Sequence, residues 1–177
     1  MAGYFSAASW RTLGSAATPH NLLTIENIDA TNLVHVRRLV VQLDATAVLT
    51  GVMPQVKVSR ATAVPTGGTA LNKAQFDTAN ATNANTIVRG ATASDGGVAT
   101  AITATAGTTI WQQYCMRMHT VVGQVLAPDN NVLPLLVADF DLTLRQNQAL
   151  LVQIVASAGA SNPATNHWFA NVVWEEA

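Results

Sequence analysis

Charge is what this sequence has least of. Only 11% of its 177 residues are Asp, Glu, Lys or Arg, and the formal net charge is −1; an average globular chain carries about 25% charged residues. A nucleic-acid surface needs clustered cations to meet phosphates, yet Lys and Arg number nine and are scattered, with Arg37-Arg38 the one adjacent pair. Direct nucleic-acid binding is therefore not expected. A polar surface of Thr, Asn, Gln and Ser supports solubility only weakly. Burial of part of it against copies or partners is expected instead.

Other absences narrow the function further. Cys115 is the single cysteine, so neither an intrachain disulfide nor a cysteine metal cluster can form. A reducing compartment suits such a chain. The most apolar stretches, such as Val132 to Val137 with Pro134 inside, fall far short of the ~20 residues of a membrane helix. Residues 1 to 20 have no charged region followed by an apolar run, so no secretory leader is expected.

The motifs of catalysis are missing as well. His20, His35, His119 and His167 stand apart, with no His-x-His or His-Glu-x-x-His, so a cupin or zinc-protease site has no ligands to use. No Gly-x-Ser-x-Gly elbow occurs, and Cys115 lies in a strand-like run among bulky residues, where a thiol is a core group. Asp139 and Asp141 fall two apart on a strand and so share a side, which makes them weak candidates for a metal or a carboxylate pair. Phe140 and Leu142 point the other way, which leaves the two carboxylates facing solvent. No enzyme, metal or cofactor is expected. Trp111, Trp168 and Trp174 could form a sugar-stacking platform, but Trp168 and Trp174 alternate with Ala170 and Val172 as core residues do.

What is present is β-pattern. Leu22 to Glu26, Leu33 to Leu43, Met53 to Val64, Thr108 to Leu126, Asp139 to Ser157 and His167 to Trp174 all read as strands, separated by Asn, Asp, Gly and Pro clusters. In Leu33 to Leu43 the apolar phase shifts by one across Arg37-Arg38, which predicts a bulge. Asp139 to Ser157 and His167 to Trp174 are expected to close a sheet as a hairpin. Leu151 and Val155 add apolar residues on the opposite face of the first of these strands, so its middle is expected to be covered on both sides. Residues 1 to 20, rich in Ala, Ser and Gly but holding Tyr4, Phe5 and Trp10, read as an arm that docks. In residues 61 to 107, Ala and Thr supply 23 of 47 positions. Without the charge that keeps a chain disordered, this segment reads as an ordered loop excursion with a hairpin built on Thr86 to Val88 and Val98 to Thr105. At most, Ala70 to Ala81 could hold a helical turn or two. Strands without βαβ alternation predict one all-β domain over residues 21 to 177, an antiparallel sandwich for which the jelly roll is the best single expectation.

The order of certain segments carries a resemblance. Arg37-Arg38-Leu39-Val40-Val41, Val56-Lys57-Val58-Ser59-Arg60-Ala61-Thr62, the Thr66-Gly67-Gly68-Thr69 turn leading to Phe76-Asp77-Thr78, and Leu142-Thr143-Leu144-Arg145-Gln146 followed by Val172-Val173-Trp174-Glu175 together resemble small jelly-roll virion proteins of tailed bacteriophages, over residues 33 to 177. The resemblance implies a shell-decorating (cement) or tail-associated component without catalysis. Its partner would be the major capsid protein, its state a homo-oligomer with a trimer favoured, and its place the outer capsid surface after assembly in the host cytoplasm. Contact candidates are Tyr4, Phe5 and Trp10 in the arm, Arg37 and Arg38, and Gly67, Gly68, Phe76 and Asp77 in the excursion. The alternatives are a receptor- or glycan-binding module of a tail fibre or baseplate, and a small jelly-roll coat protein.

Overall fold

Strands in which every second residue is Val, Leu, Ile or Trp have one face to bury, and two antiparallel sheets bury those faces against each other. A computed structural model describes residues 3–12, 19–44, 55–77, 85–90, 101–114, 135–155 and 167–177, and every regular element among them is a strand. Gly3–Thr12 is β1, His20–Asn27 β2, Val34–Asp44 β3 and Gln55–Ala61 β4. Short strands follow: β5 (Thr66–Gly67), β6 (Thr69–Ala70), β7 (Ala74–Gln75), β8 (Thr86–Gly90) and β9 (Ile102–Thr103). Long ones then resume as β10 (Ala106–Tyr114), β11 (Leu135–Leu144), β12 (Gln148–Val155) and β13 (His167–Glu176).

One sheet has the order β11-β3-β13-β1-β7 and the other β10-β4-β12-β2-β8-β6, with β5 and β9 forming a separate pair. The long strands pair as a nested set: β1 with β13, β2 with β12, β3 with β11 and β4 with β10, all antiparallel. Between the sheets lies one core. Val34, Val36, Leu39, Val41, Trp168, Val172 and Trp174 enter it from the five-stranded side, and Leu23, Ile25, Val56, Val58, Leu150, Val152 and Ile154 from the other. Phe5 stacks on Trp174 with ring centroids 5.8 Å apart. The sandwich expected from the period-two pattern is thus the observed architecture.

Four expectations need correction. The arm is no arm over Gly3–Thr12: these residues pair with β13 along their whole length, and Phe5, only 2% exposed, is a core residue. Every second residue of this strand is small or polar, so its sequence lacks the apolar alternation that marks its neighbours. The long strand expected over Asp139 to Ser157 is two strands in different sheets, broken by a turn in which Asn147 takes φ 60° and Gln148 N–H donates to Arg145 O at 3.0 Å. Leu144 and Leu150 keep one apolar phase across this corner because they reach the same core from opposite sheets. The closing hairpin is likewise absent, since β12 pairs with β2 and β4 while β13 pairs with β1 and β3. Finally, the excursion forms neither hairpin nor helix among the described residues. Its strand β7 extends the five-stranded sheet beyond β1, and β8 extends the six-stranded sheet beyond β2. The excursion therefore covers adjacent edges of both sheets.

Asn27 holds the corner at which two of the sheet-to-sheet crossings meet. Its buried amide donates to Leu144 O at 2.9 Å and to Asn32 O at 2.9 Å, while its Oδ1 accepts from Asp29 N–H at 2.9 Å. Its carbonyl accepts from Asn147 N–H at 2.7 Å. One side chain thereby ties the end of β2 to the approach to β3 and to the β11–β12 turn. Asn27→Ala leaves two carbonyls and an amide without this partner; at about 1 to 3 kcal/mol for each buried group left unsatisfied, urea unfolding should show a loss of about 3 kcal/mol. A loss below about 0.5 kcal/mol, the range of ordinary surface changes, would show that the corner does not depend on it. Phe5→Ala should remove about 3 to 5 kcal/mol as a large-to-small core change, whereas a docking arm would leave unfolding of the sandwich unchanged.

Candidate functional site

The bulge expected at Arg37-Arg38 is the feature that builds the outer face of the five-stranded sheet. The ladder of β3 with β13 passes from Arg38↔Val173 to Val36↔Trp174, and that with β11 from Arg38↔Asp139 to Val36↔Leu142, so Arg37 has no ladder partner on either side. Val34 and Val36 before it and Leu39 and Val41 after it all remain in the core. Only by adding a residue can the strand turn both arginines outward while keeping both apolar pairs inside.

Each arginine meets carboxylates on neighbouring strands. Arg37 donates through Nη2 to Glu175 Oε2 at 2.6 Å and through Nε to the same oxygen at 3.1 Å, while its Nη1 reaches Asp141 Oδ1 at 2.9 Å. Arg38 Nε donates to Asp139 Oδ1 at 2.8 Å. The hydrogen bond from Arg37 holds the Glu175 carboxyl below its ordinary value, with Tyr4 a further donor to it. These ion pairs stand at the surface, where solvent screening leaves them little effect on stability. What they do is leave each of the five charges with an opposite partner.

Around this ladder the outer face mixes polar and apolar side chains. Tyr4, Glu175, His35 and Thr143 form one register row, with His35 Nδ1 3.0 Å from Thr143 Oγ1. Phe76 N–H donates to Tyr4 O at 3.0 Å, which extends the row past β1. Phe76 is 66% exposed and Tyr4 46%. Farther along, Asn171, Val40 and Val137 make a parallel row, and Val137 is 47% exposed.

The six-stranded sheet differs. Its outward positions Thr24, Glu26, Ser59, Ala149, Leu151 and Gln153 are all buried within the chain itself, so the middle of β12 is covered on both sides as its sequence pattern implies. Part of the cover is visible at Asn21, whose amide donates to Ile102 O at 2.8 Å and Ala104 O at 3.2 Å. Thr24 Oγ1, Ser59 Oγ and Glu26 Oε2 are buried there without a hydrogen-bond partner. Burial raises the Glu26 carboxyl above its ordinary value, partly offset by the nearby Arg89 charge. A second buried acid, Glu176, is better satisfied: Oε1 accepts from Thr86 Oγ1 at 2.8 Å and from Trp174 Nε1 at 3.0 Å. Lys73 Nζ donates to Thr86 O at 3.0 Å, which fastens the excursion beside the final strand.

Of the residues singled out by sequence, Tyr4, Arg37, Arg38 and Phe76 come together on this one outer face, with Asp77 exposed next to Phe76. Asp139 and Asp141 join them as ion partners of the arginines; among the described residues no group of three His, Cys, Asp or Glu could hold a metal. Phe5 leaves the set for the core. Gly67 and Gly68 both take positive φ (66° and 67°), and a Cβ at Gly67 would stand 2.5 Å from Ala101 O. They bend the chain between β5 and β6. Trp10 lies opposite Phe169 in the β1–β13 register. Cys115 and His119 fall outside the described residues. The three-tryptophan platform does not exist, because Trp168 and Trp174 are core residues and Trp111 packs edge-on against Phe140 at 6.4 Å. Sequence reasoning missed Val40, Val137, Phe169 and Val173, although the alternation already placed them opposite core residues, where a solvated face would carry polar ones.

No family model matches the chain, no curated protein matches it in sequence, and no solved structure matches its fold.

The raised Glu26 carboxyl has a definite sign in stability. Below the ordinary value of 4.5 the group is protonated in both folded and unfolded chains; above it the unfolded chain ionises first, so stability falls as pH rises toward the folded value. Glu26→Gln should therefore melt higher than the parent at neutral pH, with the gain vanishing as the pH falls below 4.5. Equal melting shifts at every pH would contradict the assignment.

Proposed function

We propose that this chain is a non-enzymatic structural protein of a tailed-phage virion, a capsid decoration protein that stabilises the shell by bridging coat subunits. The observation that carries this reading is the nested pairing β1–β13, β2–β12, β3–β11 and β4–β10, distributed over two sheets. Nesting of this kind, with the chain crossing between sheets, is the connectivity of a jelly roll, so we read the sandwich as one. Together with the order of segments that resembles small jelly-roll virion proteins, it supports a role built on surface contact.

The chemistry of the surface supports the same reading. A protein that clamps a shell acts by burying area on several subunits at once, so that many modest contacts must break together. A low overall charge, ion-paired arginines and an open sheet face reduce the desolvation cost of such burial. The assembly partner would be the major capsid protein, and the working form a homo-oligomer on the outer capsid surface.

Gold-labelled antibody against the chain, applied to intact particles of the phage that encodes it, should decorate the outer shell. Label confined to the tail would replace this reading with that of a tail fibre or baseplate module, and unlabelled particles in a preparation where the antibody binds the purified chain would end it.

A further inference from the structure

The β5–β9 pair is fastened over the outer face of the six-stranded sheet at two places. At one, Asn21 of β2 donates to Ile102 O at 2.8 Å and to Ala104 O at 3.2 Å, and Ile102 is only 4% exposed. At the other, Arg89 of β8 donates through Nη1 to Gly67 O at 3.4 Å. The turn there is close against the sheet: a Cβ at Gly68 would stand 2.7 Å from Ile102 Cγ1 and 3.5 Å from Arg89 Cβ.

Beside this second fastening three polar side chains lie together. Arg89 is directly opposite Thr24 in the β2–β8 register, and Glu26 follows Thr24 by two residues, so all three leave the same face of the sheet. Thr24 is 0% and Glu26 4% exposed. Thr24 Oγ1, Glu26 Oε2 and Arg89 Nε are each buried without a hydrogen-bond partner. The Arg89 charge is near enough to pull the Glu26 carboxyl pKa down against the effect of burial, but no direct bond joins the two. On the far side of Glu26 stands Ala149, which projects only a methyl. Ser59 Oγ, also unpartnered, is separated from this group by Leu151.

We propose that Thr24, Glu26 and Arg89 form a binding site for an ordered water molecule that bridges β2 to β8 beneath the excursion. Charge selects the ligand. The guanidinium disfavours a cation in this site and the carboxyl disfavours an anion, which leaves a neutral molecule able both to donate and to accept. An interior water makes about three hydrogen bonds to groups otherwise left unsatisfied. Here it accepts from Arg89 Nε–H, donates to Glu26 Oε2 and shares a bond with Thr24 Oγ1, whose hydroxyl can give or take. Leaving the three groups dry would impose three desolvation penalties on one corner of the sheet, and a single bridging molecule removes them together. The excursion is thereby docked on the sheet through a wet contact, which is independent of attachment to a shell.

A crystal structure of the full chain, refined at a resolution that orders interior solvent, should show one water within about 3.2 Å of all three atoms. Side chains bonded directly to one another, or a site without solvent density, would overturn the proposal. Thr24→Val, which keeps the shape and removes the hydroxyl, gives an independent readout in urea. Loss of a water-held hydrogen bond should raise the unfolding constant about fivefold. A dry hydroxyl predicts the reverse, because an apolar group of the same shape suits a dry site better. An unchanged or lower unfolding constant would therefore count against the water as decisively as a dry crystal structure. Neither measurement involves a particle, so this site and the virion reading fail separately.

Discussion

The crossing between sheets is the constraint on which the rest of the molecule depends. Among the long strands the chain steps from one sheet to the other at β1–β2, β2–β3, β3–β4, β10–β11, β11–β12 and β12–β13. Each step must reverse the backbone while satisfying polar groups that no ladder can pair. Asn27 does this for two steps together, because its amide is held against carbonyls from both corners. Ala177 adds the neighbouring closure by exchanging backbone hydrogen bonds with Leu33, 3.0 Å in each direction. With the corners held, the strands between them have little freedom except to face each other across one core.

Edges follow from the same topology. A sandwich of two open sheets leaves strand edges that invite unwanted pairing. The excursion between β4 and β10 returns along β1 and β2 and pairs with both. Its position is secured by Lys73, Thr86 and Glu176, a polar group in an otherwise apolar region. Residues that read as a loop in isolation thus include strands β7 and β8, which pair with the body of the domain.

Surface chemistry divides along the two sheets. One is sealed by the chain itself and tolerates buried hydroxyls and an acid with a raised carboxyl pKa. The other is bare, and its ions are closed on one another. A chain with so few charges has placed five of them on a single face, two arginines and three carboxylates, each in contact with an opposite charge.

Much of the fold was legible because side-chain period is a local property. The strands over Leu22–Glu26 and Leu33–Leu43, the bulge at Arg37-Arg38 and the two-sided burial of Leu151 follow from alternation alone, which depends on neighbours one and two residues away. Residues 3–12 were misread for the complementary reason: Ser6, Ala7, Ala8 and Ser9 have no alternation to display, and only pairing with β13 makes them a strand. The same limit hid the division of residues 139–157 between sheets, since a corner that preserves apolar phase looks like a continuous strand. The candidate site was half visible. Arg37, Arg38, Tyr4 and Phe76 stood out by residue type, but their convergence needed four separate segments to be brought side by side. Sequence by itself determined which residues of the alternating strands face the core, because burial of apolar area is decided residue by residue. Tertiary structure alone decided which strands are neighbours, which outer face stays bare and which carboxylate answers each arginine, because those depend on contacts between residues more than one hundred positions apart.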